Sequence, residues 1–171
     1  EKILPRLNFK SNKTIISFIS TIKLNQLKKL TNKKSKIIRA IPMPPISLGK
    51  GPIAIYPPNK QVKNFFNKIG TSIEIKNEGL SNNFWAMSGM MAPFYELLST
   101  NATWLVNKGV RRDSSQKYIT SLFVALAEDA VVNSKKDLKY LVKDSQTPKG
   151  LNEQGVNELR NAGFYRSSIK T

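Results

Sequence analysis

A chain of 171 residues, 40% hydrophobic and 23% charged, is long enough to bury one or two small cores and has the balance of an ordinary folded protein. It contains no cysteine and no histidine. That excludes disulfides, thiolate nucleophiles, Cys/His zinc sites and imidazole bases, and leaves chemistry to hydroxyls, carboxylates, lysine, backbone groups or a bound cofactor. The 28 Lys and Arg against 11 Asp and Glu give a net charge of +17, but this excess is dispersed lysine, whereas nucleic-acid surfaces concentrate charge and interleave arginine and aromatics.

In chain order, Thr14 to Ile19 (TIISFI) is a β-branched run suited to a buried strand. Leu24, Leu27 and Leu30 recur at spacings of three and predict an amphipathic helix over 23–30. A second strand at Ile37 to Ile41 is halted by Pro42-Met43-Pro44-Pro45, and a third at Ile53 to Tyr56 lies between Gly51-Pro52 and Pro57-Pro58. A helix over 61–69 is expected to turn Val62, Phe65, Phe66 and Ile69 inward. Gly70 stops it, and a strand follows at Ser72 to Ile75. This alternation of strand and helix predicts the second half of an α/β sheet.

The pattern changes near Asn77 to Ser81. One long helical stretch, rich in Met and aromatic residues, is expected from Ser81 to about Lys108, kinked at Pro93 and stopped by Gly109. Asp113-Ser114-Ser115-Gln116 has the form of a capping box opening a helix through Val132, with Ile119, Leu122, Phe123, Leu126 and Val131 along one stripe. A short helix at about 135–142, a loop over 144–150 and a last helix over 151–162, ended by Gly163, complete an all-helical half. A few helices cannot cover so much apolar surface among themselves, so a homodimer is expected. The boundary divides the chain into 1–78 and 79–171. No uninterrupted apolar run reaches the ~18 residues a spanning helix needs, and nothing at the N-terminus has the form of a secretion signal. No membrane association and a cytoplasmic setting are therefore expected.

The richest segment is Ser145-Gln146-Thr147-Pro148-Lys149-Gly150-Leu151-Asn152-Glu153-Gln154. It is a turn delivering the chain into a helix N-terminus, where unpaired N–H groups and the helix dipole suit a carboxylate or phosphate. An ordinary helix cap with Thr147 before Pro148 explains the same residues.

Thr147-Pro148-Lys149-Gly150-Leu151-Asn152 resembles the Ser-Pro-Gly-Gly-Thr-Thr segment of pyrroline-5-carboxylate reductases. Other segments resemble that family in the same order: Thr14 to Ser20, Arg39 to Pro45, Gly49-Lys50-Gly51, Phe65 to Glu74, Ser88-Gly89 with Pro93 and Tyr95, and Asn161 to Tyr165. The resemblance implies half of a Rossmann-like nucleotide-binding domain at 1–78 and a helical dimerisation and substrate domain at 79–171. It implies a parent oxidoreductase that passes hydride from NAD(P)H, with no metal, to 1-pyrroline-5-carboxylate or a related cyclic imine. Thr147, Lys149 and Gly150 then belong to the substrate turn. Asn152 stands at the catalytic position, where the family places a proton-donating threonine. Ser17 and Pro42 fall beside the cofactor cleft.

There are departures from the family pattern. An amide at Asn152 is a poor proton donor, Lys149 replaces a glycine, Met43 replaces an asparagine, and Met90-Met91-Ala92 interrupts Ser-Gly-Pro-Ala. A Gly-x-Gly-x-x-Gly turn is absent from the sequence. With Glu1 in place of a methionine, the chain reads as a fragment whose parent carries that turn, and it is expected to be inactive by itself. Two other readings are a dimerisation module whose catalysis has decayed and, less favoured, a basic nucleic-acid-binding protein.

Overall fold

The structure, a computed structural model, describes residues 3–9, 13–31 and 35–170. It divides into two compact units, Glu1–Ser88 and Gly89–Thr171.

The first unit holds β1 (Thr14–Ser17), α1 (Leu24–Leu30), β2 (Lys36–Pro42), a 3-10 helix at Pro44–Leu48, β3 (Pro52–Tyr56), α2 (Lys60–Phe66), β4 (Thr71–Glu74) and α3 (Glu78–Met87). The strands form one sheet in the order β1-β2-β3-β4. β1 and β2 are parallel, with Ser17 opposite Arg39, and β3 and β4 are parallel. Between them β2 and β3 run antiparallel, Pro42 opposite Ile53. The alternation of elements does not predict this reversal, but the link does. The stretch between β2 and β3 holds one 3-10 turn, too short for the crossover of a dozen or more residues that a parallel pair needs.

Each face of the sheet buries its own cluster. Ile38, Ala40, Ile53 and Ile55 pack with Val62 and Phe66 of α2, while Ile37 packs with Ile22, Leu24 and Leu27 around α1. Asn59 starts α2 by accepting the Val62 N–H at 3.0 Å. Of the four residues expected to face inward on α2, Val62 and Phe66 are buried, whereas Phe65 is 57% exposed and Ile69 is also exposed. The helix ends at Phe66, so Ile69 falls outside the periodicity that would have turned it inward, and Phe65 lies one helical step, about 100°, from Phe66.

Arg39 is a charged residue in this sheet, 2% exposed. Its Nη1 donates to Glu78 Oε1 at 2.6 Å and its Nη2 to the Ser20 carbonyl at 2.7 Å. Its Cζ lies 4.3 Å from the centre of the Trp85 ring. Strand β2, the turn after β1 and helix α3 meet at this one side chain.

The expected long helix over 81–108 is three pieces. α3 starts at Glu78, capped by Asn77 accepting the Gly79 N–H. A 3-10 turn at Ser88–Met90 ends it, and α4 (Met91–Asn107) follows. The break is therefore not at Pro93, which sits in the first turn of α4, where a missing N–H costs no helical bond.

In the second unit α4 packs on α5 (Arg112–Val132), and Gly109, at φ 93°, takes the left-handed position after α4. The contact is narrow. Ala102 and Ile119 are buried, and Ser115 Oγ donates to the Ala102 carbonyl at 2.6 Å. The expected capping box is not formed: Arg111 is the cap residue without a side-chain bond, and Asp113 pairs with Arg111 instead. Of the predicted α5 stripe only Ile119 is buried, while Leu126 and Val131 are 58% and 70% exposed. The short helix lies later than expected, at Lys139–Asp144 (α6). Then come α7 (Leu151–Asn161) and a last turn, α8 (Phe164–Ser167).

Replacing Phe66 by Ala is expected to destabilise the sheet unit by about 3–5 kcal/mol. The neighbouring Phe65→Ala should cost no more than about 1 kcal/mol. Chemical denaturation of the two variants, followed by circular dichroism, checks the pair.

Candidate functional site

The sequence-predicted residues fall into two groups, one in each unit. In the sheet unit, β1 and β2 are parallel and share a carboxyl edge, the edge where α/β sheets bind ligands. Ser17 ends β1, is buried, and its Oγ accepts the Ile19 N–H at 3.3 Å, which turns the chain off the strand. Pro42 ends β2 three residues beyond the level of Ser17, about 10 Å further along. Phe18, just after Ser17, is 59% exposed and meets Phe66 edge to face at 6.2 Å. A small hydroxyl, a proline and an exposed ring thus stand along this edge. Among the described residues no glycine-rich turn follows a strand to receive phosphates.

In the helical unit the turn from α6 to α7 is built from its own side chains. The Gly150 N–H donates to the Thr147 carbonyl at 2.8 Å. With Pro148 second and Lys149 third at φ 62°, this is a turn of the type that wants glycine at its third residue. Lys149 occupies that left-handed position at a cost of about 1–2 kcal/mol. Gly150 is required for a different reason: a Cβ there would lie 2.8 Å from the Thr147 carbonyl oxygen. Three successive side chains of α7 hold the turn from the far side. Asn152 Nδ2 donates to the Ser145 carbonyl at 2.8 Å, Glu153 Oε2 accepts the Lys149 N–H at 2.6 Å, and Gln154 Nε2 donates to the Lys149 carbonyl at 2.9 Å.

Thr147, Lys149, Gly150 and Asn152 are therefore brought together on one turn. Gly150 is the N-cap of α7 and has no side chain to cap it, so the first amides of α7 face outward at the positive end of the helix dipole. Asn152 spends its N–H on the turn itself and offers its carbonyl oxygen as an acceptor. Sequence reasoning included Glu153 in this segment but gave it no role in holding the turn. The signal was present as a glutamate three residues after the cap, the spacing at which a side chain reaches back to the chain before the helix.

A cavity of about 390 Å³ lies between α4 and α5, lined by Leu98, Ser99, Ala102, Thr103 and Ile119 among others. It holds no pair of acid and base groups. Among the described residues no group of three or more carboxylates is placed to hold a metal ion, and no helix is long and apolar enough to cross a membrane.

A family model described as pyrroline-5-carboxylate reductase dimerisation matches residues 78–171. Three solved structures share the fold. The 1-pyrroline-5-carboxylate reductase of Streptococcus pyogenes is 20% identical with a TM-score of 0.80, over 98% of this chain and 66% of that one. The pyrroline-5-carboxylate reductase of Coxiella burnetii is 19% identical with a TM-score of 0.81, over 99% and 65%. The Plasmodium falciparum pyrroline carboxylate reductase, solved with NADP bound, is 23% identical with a TM-score of 0.78, over 98% and 69%. The chain thus spans just under two thirds of the length of the first two. None of the curated proteins matches it in sequence. The partial Rossmann-type sheet, the helical half matched to a dimerisation domain and the turn before α7 converge on one assignment: the chain belongs to the pyrroline-5-carboxylate reductase family.

Proposed function

We propose that the chain is part of an NAD(P)H-dependent oxidoreductase that reduces a cyclic imine, 1-pyrroline-5-carboxylate or a close relative, in a cytoplasmic setting. Residues 1–78 form part of the nucleotide-binding domain and 79–171 the dimerisation and substrate domain. The observation that carries the reading is the turn Thr147–Gly150. Its geometry leaves the first amides of α7 without a side-chain cap, three residues after Thr147, and a substrate carboxylate is the anion such an arrangement suits. Bound NAD(P)H supplies the hydride. The protein's own part is to hold the imine by its carboxylate through Thr147, the α7 amides and the Lys149 ammonium, and to orient the imine nitrogen toward Asn152. Because Asn152 accepts through its carbonyl oxygen, it steadies a protonated iminium rather than delivering the proton.

The test is oxidation of NADPH and NADH by the full-length parent with a panel of cyclic imines. Turnover of 1-pyrroline-5-carboxylate or a near analogue is expected. Gly150→Ala, which drives a methyl group into the Thr147 carbonyl, should lower kcat/KM by roughly tenfold to a hundredfold. Inactivity of the parent across the panel would leave the chain as a dimerisation module without catalysis. The isolated chain, with one wall of the cleft, is expected to bind neither cofactor at micromolar concentration by calorimetry, and saturable micromolar binding would contradict this.

Homodimerisation is the second part of the proposal. α4 and α5 expose Trp104, Val124, Leu126, Val131 and Val132, more apolar surface than a monomer ordinarily leaves in water. Sedimentation velocity of the chain should show a dimer. The double substitution Trp104→Glu and Leu126→Asp should give a monomer with the same helix content.

A further inference from the structure

We infer that Arg39 and Glu78 are positioning residues for the ligand-binding edge of the sheet, acting by fixing the turn that leaves β1; the inference rests on reading that edge as part of a dinucleotide cleft. The turn runs from Ser17, the last residue of β1, to Leu24, the first of α1. Ile22 is buried in the α1 cluster and Phe18 touches Phe66, but Ile19, Ser20, Thr21 and Lys23 are exposed, so packing alone leaves the middle of the turn unheld. Two charged groups from distant parts of the chain hold it instead. Arg39 Nη2 donates to the Ser20 carbonyl at 2.7 Å, and Glu78 Oε1 accepts the Leu24 N–H at 2.6 Å across 54 positions of sequence. The same Glu78 oxygen accepts Arg39 Nη1, so one ion pair clamps the middle and the end of the turn.

Helix α1 shows why the clamp is needed. Gln26 Oε1 accepts the N–H of the cap residue Lys23 at 3.1 Å, but Lys23 has no side-chain acceptor for the next amides, and the carboxylate of Glu78 takes the Leu24 N–H at the positive end of the dipole. Burying an ion pair is not an efficient route to stability, since apolar residues of similar size often serve as well. What charge-assisted bonds add is direction, because both partners and the distance are specified. The Trp85 ring closes the other side of the guanidinium, leaving Arg39 one arrangement. A turn held this way meets a ligand already ordered, which avoids an entropy cost at binding.

The test uses the full-length parent with Glu78→Gln, Arg39→Lys and, as a control away from the turn, Lys63→Met, which breaks the Lys63–Glu74 pair of α2 and β4. The readouts are NADPH affinity by fluorescence, L-proline affinity by calorimetry, and the Leu24 amide resonance of the chain by NMR. Glu78→Gln and Arg39→Lys are expected to weaken NADPH binding about tenfold or more, leave L-proline affinity and the control unchanged, and shift the Leu24 amide. Should neither variant fold, Leu24 in the native chain should still exchange its amide hydrogen far more slowly than Asn25. Unchanged NADPH affinity in a folded variant, equal loss of both ligands, a matching loss in the control, or an unprotected Leu24 amide would each overturn the inference. A native parent that binds neither NADPH nor NADH, with the Leu24 amide behaving as expected, would instead remove the dinucleotide reading, and the inference with it.

Discussion

A guanidinium buried in a β-sheet has to find its partners or the sheet does not form, and the first unit of this protein is arranged around that requirement. Arg39 stands in the middle of β2, 2% exposed. Losing its partner would leave a bare charge at a cost of about 3–5 kcal/mol. Glu78 and the carbonyl of Ser20 take its two terminal nitrogens and the ring of Trp85 lies against its face, while its Nε is buried without a partner among the described residues. In doing so they fix where α3 begins, how the chain leaves β1, and how α1 starts. The apolar clusters on the two faces of the sheet supply the driving force, but they are tolerant of direction. The ion pair is not.

The helical unit is organised on the opposite plan. Its α4–α5 contact rests on Ala102, Ile119 and the Ser115 hydroxyl bonded to the Ala102 carbonyl. Small residues let the two helices approach closely, Phe94 and Phe123 meet edge to face across the contact at 6.0 Å, and Val124, Leu126, Val131 and Val132 of α5 stay exposed. A proposed homodimer would bury those side chains. The exposed stripe lies within the residues that the dimerisation family model matches.

The turn before α7 joins strain to order. Lys149 sits in a conformation that favours glycine, and three hydrogen bonds from Asn152, Glu153 and Gln154 keep it there. Strain of about 1–2 kcal/mol persists only where the surroundings over-determine the backbone. Asn152 is one of the struts, its Nδ2 donating to the Ser145 carbonyl. That makes Asn152 a residue whose substitution for a hydroxyl carries a second consequence, the tying of Ser145 to the helix.

Local pattern was enough to place the strands at 14–17, 36–42, 52–56 and 71–74, the helices α1, α2, α5 and α7 to within a few residues, and the stops at Gly109 and Gly163, because period and punctuation are properties of adjacent residues. The resemblance that located Thr147, Lys149, Gly150 and Asn152 on one turn is of the same local kind. The sequence could not reveal that the 3-10 turn at Ser88–Met90 rather than Pro93 divides the long helical stretch, because a proline in a first turn and one in a helix interior look alike until the helix start is known. Nor could it show that Asp113 pairs with Arg111 instead of capping α5, since both bonds are open to the same side chain. The outward aim of Leu126 and Val131, and the meeting of Glu78 with Arg39 and Leu24 across 39 and 54 positions of chain, were decided by tertiary structure alone. Period and propensity say which residues can face a core. Which neighbour a charged or apolar side chain meets depends on how distant segments pack, and that is fixed only when the chain closes on itself.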